Sequence, residues 1–265
     1  DTALGLRFFA AAAKSKDAAL RLRAAGELDL GKEADAGALL VSLMSDRDAE
    51  VRKAAARAYG LRVAEKEADV APMLAVLAAG TRELLLAAAE GAAHRGEGAA
   101  LRPLLLLVRA GEDDERPKAL LALGTLGDAR ALSEIETIAA GGTEEAPADP
   151  AMRAAAIEAL GRIAGKLKDA DARRRVIEKV EEASAGSGEL QRAAVIGLRH
   201  IGGERGRARL EALLASTAED DDVRREAAEQ LGRLGDAAAE ATLGRVLSDD
   251  EYDVRWAARK ALDRL

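Results

Sequence analysis

Apolar positions along this chain recur at helical spacing in blocks of about ten residues, and the blocks themselves recur. VRREAAEQLG (Val223 to Gly232) stands beside VRKAAARAYG (Val51 to Gly60), MRAAAIEALG (Met152 to Gly161), ERPKALLALG (Glu115 to Gly124) and VRWAARKALD (Val254 to Asp263). Weaker copies begin at Leu20, Leu84 and Leu190. The fifth place is alanine in every copy: Ala24, Ala55, Ala88, Ala119, Ala156, Ala194, Ala227 and Ala258. The second is arginine in six, namely Arg21, Arg52, Arg116, Arg153, Arg224 and Arg255. Leucine follows four places after the alanine at Leu28, Leu123, Leu160, Leu198, Leu231 and Leu262, on the same helix face. A period of 31 to 38 residues predicts a stacked array in which each unit touches only its neighbours.

A short break follows each block, and then a second apolar-periodic segment: VAPMLAVL (70–77), LRPLLLLV (101–108), ALSEIETI (131–138) and AEATLGRVL (239–247). Each repeat is therefore a hairpin, helix A then helix B. Acidic residues before the A helices (Asp46 and Asp48, Asp113 and Asp114, Asp220 to Asp222, Asp249 and Asp250) are placed to cap them. Gly60, Gly124, Gly161 and Gly232 are expected to release the turn that follows. The invariant alanine marks close helix approach, where a larger side chain would overpack the contact at about 1–3 kcal/mol. Residues 1–16 fall outside the register and read as a terminal cap carrying Phe8 and Phe9. The register stretches across 141–150, where Gly141, Gly142, Pro147 and Pro150 predict a helix-free loop, read as a hinge within one solenoid spanning 1–265. It stretches again through 165–175.

The VRxxAxxAL core, the preceding aspartate and the LxxLL-like B helix resemble the HEAT repeat, in particular the short form seen in phycobilin lyases. The resemblance covers about 17–265 and implies a binding scaffold more often than an enzyme. It also implies that the recurrent arginine pairs with an aspartate of the neighbouring turn, a structural role for Arg52, Arg224 and Arg255.

Composition narrows the chemistry. Of 265 residues, 49% are hydrophobic but only 2% aromatic, so alanine and leucine dominate and the expected class is all-α. Thirty arginines against ten lysines, with abundant alanine, point to a GC-rich, bacterial source. The net charge of −7 supplies no general attraction to nucleic acid, and zero cysteines exclude disulfides, thiolate catalysis and cysteine zinc sites. No apolar run of 18 residues is present. The cytoplasm is the expected compartment; the start at Asp1 in place of methionine leaves an exported, processed protein as the alternative.

The two histidines, His94 and His200, lie in different repeats and lack the His-Glu pairs that bind iron in HEAT-type deoxyhypusine hydroxylases. No nucleophile elbow, phosphate loop or dinucleotide fingerprint occurs. The expectation is thus no catalysis, no metal and no cofactor. Charge, however, is segregated. From Arg162 to Arg209 twelve basic residues face seven acidic ones, a net of +5; from Glu219 to Asp253 four face twelve, a net of −8. Arg130, Arg175, Lys179, Arg205 and Arg245 fit the B-helix face turned away from helix A, with Arg209 nearby. The plainer reading is a solvated face paired with Glu178, Glu181, Glu182 and Glu211. The sharper is a stripe that binds an acidic protein surface. Leu107 of LLLLV falls on the same row beside Val76, where core packing is the competing explanation.

Trp256 occupies a column held elsewhere by Lys53, Ala154, Arg192 and Arg225, on a final helix with no B helix after it. Either it folds over the open end, or further repeats or a partner cover it; the second is the expectation. The sequence therefore predicts a right-handed α-solenoid of about seven hairpins, with a cap helix and an unpaired final helix. Its expected role is that of a non-catalytic scaffold for another protein. A chromophore-lyase-like enzyme or chaperone and a nucleic-acid-binding relative are the alternatives.

Overall fold

The computed structural model describes residues 9–28 and 34–265, so Phe8 and most of the predicted cap lie outside it. Among the described residues the regular structure is helical, with one isolated bridge between Gly142 and Pro147. The A helices are α1 (Ala18–Glu27), α3 (Ala49–Ala64), α5 (Leu85–His94), α7 (Glu115–Leu126), α9 (Pro150–Ala164), α11 (Gly188–Ile201), α13 (Asp221–Leu234) and α15 (Tyr252–Leu262). The B helices between them are α2 (Ala34–Leu43), α4 (Ala71–Ala79), α6 (Leu101–Ala110), α8 (Leu132–Ala139), α10 (Ala170–Ser184), α12 (Gly203–Ala215) and α14 (Glu240–Val246). The architecture is an all-α solenoid. The chain divides into two compact units, Asp1–Leu126 and Gly127–Leu265.

In each unit successive A helices pack on one another, and B helices pack on the A helices that flank them. All eight fifth-place alanines are 0% exposed, which is where the repeat pattern put them. In the first unit Phe9, Leu39 and Val76 pack against a core that includes Leu28, Leu40, Val51 and Met73. Tyr59 joins that core and satisfies its hydroxyl by donating to the Asp69 carbonyl at 3.0 Å.

The block-ending glycines do not make turns. Gly60, Gly161 and Gly232 lie inside α3, α9 and α13, where the A helices cross. A Cβ on Gly161 would stand 2.4 Å from the Gly197 Cα, and one on Gly232 2.6 Å from the Ala261 Cα. On Gly60 it would meet the Ala87 carbonyl oxygen at 3.0 Å. The missing side chain lets two backbones touch. Turns fall instead to glycines at positive φ such as Gly80 and Gly235.

Three of the six second-place arginines, Arg21, Arg52 and Arg224, clasp one repeat to the next. Arg21, 4% exposed, grips Asp46 with Nε at 2.7 Å and Nη2 at 2.9 Å. Arg52 grips Glu83 at 2.5 and 2.9 Å, and Arg224 holds Asp249. In α11 glutamine replaces arginine, yet Gln191 still reaches Glu219 of the following repeat at 2.7 Å. Arg255 donates to the carbonyls of Asp249 and Asp250 at 2.6 and 2.8 Å. Asp48 and Asp220 cap their helices as the pattern required, whereas Asp46 and Asp249 accept a loop N–H and serve chiefly as clasp partners.

The 141–150 loop lies within the second unit. It is helix-free up to Pro150, which opens α9, and it is hydrogen-bonded: Thr143 N–H donates to the Ala146 carbonyl at 3.1 Å and Ala148 N–H to that of Gly141 at 2.8 Å.

Candidate interaction surface

The structure scatters the predicted surface residues over several environments. Arg130, in a turn just before α8, folds back on Asp128 at 2.6 Å. Lys179 of α10 meets Glu136 of α8 at 3.1 Å, and Arg205 of α12 meets Glu181 of α10 at 2.6 Å. Arg209 donates to the Ser184 hydroxyl at 2.9 Å, and Arg245 to that of Thr242 at 3.0 Å. Arg175 is exposed and makes no ion pair among the described residues. The B-helix cations are therefore mostly stitched to acids and hydroxyls of neighbouring helices rather than free. Such half-exposed pairs stabilise little, about 0–1 kcal/mol each, but they neutralise the row.

Leu107 is 1% exposed, so it belongs to the core and not to a binding row. Leu101, Leu104, Leu107 and Val108 share the buried face, and Leu106 carries the exposure at 57%. The helical wheel was rotated by one residue, which an all-leucine run cannot correct. Val76 is half-buried against the first unit's core. Trp256 is 51% exposed, with Lys260 Nζ 4.8 Å from its ring centroid and Arg225 close by. It sits beside the column it was aligned with.

One feature of the A-helix face has no counterpart in the sequence reading. An open hollow of about 500 Å3 in the first unit is lined by Lys53, Arg57, Leu61, Leu86, Glu90 and Lys118 among others. Burial raises the Glu90 carboxyl above its ordinary range, with Lys118 and Arg57 acting in the opposite direction. Glu90 sits alone in an alanine-rich helix, LLAAAEGAAH, and nothing local in the sequence marks it.

Among the described residues no group of three or more histidine, aspartate or glutamate side chains is placed to hold a metal, and no helix is long and apolar enough to cross a membrane. The surface is a set of charged and apolar patches on a regular stack, the class of an α-solenoid repeat protein. Residues 210–265 match the family model described as HEAT repeats. The CpcE–CpcF complex of phycocyanin lyase from Nostoc sp. PCC7120 is similar over 97% of this chain and 93% of its own, at 21% identity and TM-score 0.59. Human deoxyhypusine hydroxylase aligns over 99% of this chain and 96% of its own, at 19% identity and TM-score 0.40. Importin beta aligns over 97% of this chain and 43% of its own, at 14% identity and TM-score 0.47. No curated protein sequence matches. Residues 210–265 thus match HEAT repeats, and the likeness to the phycocyanin-lyase complex extends the α-solenoid fold over the chain.

Proposed function

We propose that the chain is a non-catalytic scaffold that holds another protein along its B helices. The observation that carries this reading is the contrast between constant packing and changing surface. The alanine column is 0% exposed throughout, while the exposed side chains on the B helices run from Val41 and Leu106 in the first unit to Arg175 in the second. A surface released from folding constraints is where recognition operates in repeat arrays. The first unit offers apolar contact and the second a charged lattice in which Arg175 is exposed and makes no ion pair among the described residues. Apolar side chains of a partner fit the first face, and acidic side chains fit the second. Nucleic acid fits less well, since Lys179 and Arg205 are already paired and the chain is acidic.

The test is capture of partners from the native host by the full chain and two variants, each checked for helicity by circular dichroism. Leu106→Asp removes the apolar contact; the triple reversal of Arg175, Lys179 and Arg205 to glutamate inverts the charged one. Loss of the same captured protein in either variant, with salt-sensitive capture by the parent, is the expected result. A capture pattern unchanged in both variants overturns the reading.

A further inference from the structure

Three A helices of the second unit end side by side, and each brings an arginine in its last turn: Arg162 in α9, Arg199 in α11 and Arg233 in α13. The ends are close. A Cβ on Gly165, just past α9, would lie 3.5 Å from the His200 carbonyl oxygen, and one on Gly202, just past α11, 3.8 Å from Leu234 of α13. A cation at a helix C-terminus is stabilised by the dipole at about 0.3–1 kcal/mol. That effect explains each arginine singly; it does not explain gathering them.

Gathered, they oppose one another. Burial lowers the Arg199 pKa, and the charges of Arg162 and Arg233 lower it further, while Glu158 acts the other way. Lys166, following α9, is lowered by burial and then by Arg162. Two carboxylates set against the group are Glu158 and Glu229. Glu158 holds Arg162 at 2.5 Å; Glu229 serves Arg225 at 2.8 Å and Arg233 at 3.6 Å. Arg199 is left with a buried Nε that has no acceptor, and its Nη2 lies 2.7 Å from the His200 ring Nε2. Burial, then Arg199, Arg162 and Lys166, push His200 down to about 3, so the ring is neutral. Arginine cannot accept, so it donates to Nε2, and Nδ1 carries the ring proton.

Planar guanidinium forks and an imidazole N–H are the donors that recognise a tetrahedral oxyanion. Several cations converge here, which favours a doubly charged ligand over a singly charged one. We propose that the C-terminal ends of α9, α11 and α13 form a binding site for a dianionic phosphate-type oxyanion, with Arg199 as its principal donor and Arg162, Lys166 and Arg233 around it. The ligand comes as free phosphate or as a small phosphomonoester.

The chain's two histidines make the readout direct. Imidazole nitrogen shifts are followed by NMR in the full chain from pH 7 to 3, with His94→Gln giving the assignment. Sulfate, a dianion across that range, is titrated against chloride at matched ionic strength; orthophosphate and O-phosphoserine are then compared at pH 7. The expected result is a saturable sulfate response that raises the His200 midpoint by a unit or more and that chloride does not reproduce. Arg199→Gln should weaken the response at least tenfold, and Arg233→Gln, at an exposed position that carries little folding burden, several-fold. Whichever phosphate compound binds more tightly identifies the source. No sulfate response, a response that chloride matches, or full binding in both variants overturns the proposal.

Discussion

Helices α4 and α6 of the first unit and α10 and α12 of the second hold the same place in the repeat and share almost no surface chemistry. APMLAVLAA, in α4, has no charged residue, and α6 has only Arg102 and Arg109. In α10 eight of 15 residues are charged, and α12 adds Glu204, Arg205, Arg207, Arg209 and Glu211. Yet the A helices alongside keep the same alanine column at the same zero exposure. Hairpin stacking is thus set by the buried columns, and the outward row is left to be written separately in each unit.

Several substitutions test how far the two units follow one rule, and the crossing glycines should give the largest effect. Gly161→Ala places a methyl against backbone that cannot move aside, and should cost about 3 kcal/mol in urea unfolding, the upper end for overpacking. Gly60→Ala meets one carbonyl at contact distance and should cost about 1 kcal/mol. Equal costs would mean that the tighter crossing of the second unit has no energetic meaning.

Next come the alanines. Ala119→Leu in the first unit and Ala227→Leu in the second should each lose about 1–3 kcal/mol. If one variant melts like the parent, the column is not steric in that unit.

Acid should separate the units by a smaller margin. Arginine hydrogen bonds hold Asp46, Glu83 and Glu115 below their ordinary values in the first unit, as the Arg130 hydrogen bond does Asp128 in the second. A carboxyl depressed in the folded state contributes stability above its unfolded value, 3.8 for Asp46 and 4.5 for Glu83, and loses it as pH falls through the folded value. Glu90, raised by burial, has the opposite sign: its penalty grows as pH rises past 4.5 and is absent below it. His200 of the second unit, pushed from 6.5 down to about 3, loses stability as pH falls below 6.5. Hydrogen exchange at pH 7, 5 and 3 should therefore show the second unit losing protection first and the first unit only below about pH 4.5. Earlier loss in the first unit would reverse the assignment.

The smallest effect is expected at Trp256. Its emission should be red-shifted and open to iodide, and Trp256→Ala should change stability by no more than about 0.5 kcal/mol. The Lys260 contact adds little at an exposed ring. A blue-shifted, protected emission in the monomer would contradict the exposed placement; a blue shift on partner binding would mark an interface.

What could be read beforehand follows from what periodicity encodes. The alanine column, the hairpins and the acidic caps are one-dimensional signals, and they were legible. Distance across a crossing is not one-dimensional, so Gly161 and Gly232 read as turns when they are contact points between backbones. Leu107 went to the wrong face because LLLLV fixes no rotation by itself. Arg162, Arg199 and Arg233 were invisible as a group. They lie a repeat apart in sequence, and α11 is out of step with its neighbours, so that Arg199 aligns with Gly161 and Gly232 rather than with the other two arginines.

The clasp has one more consequence. Arg21 and Asp46 are 25 residues apart, as are Arg224 and Asp249, one pair in each unit. A stretch from the start of an A helix to the aspartate that answers it, Leu20 to Asp46 or Val223 to Asp249, is therefore a self-fastening cassette of fixed length. Exchanging the two would move a surface face from one part of the chain to another with its arginine–aspartate clasp intact. In that sense the chain is already cut along lines at which it could be recombined.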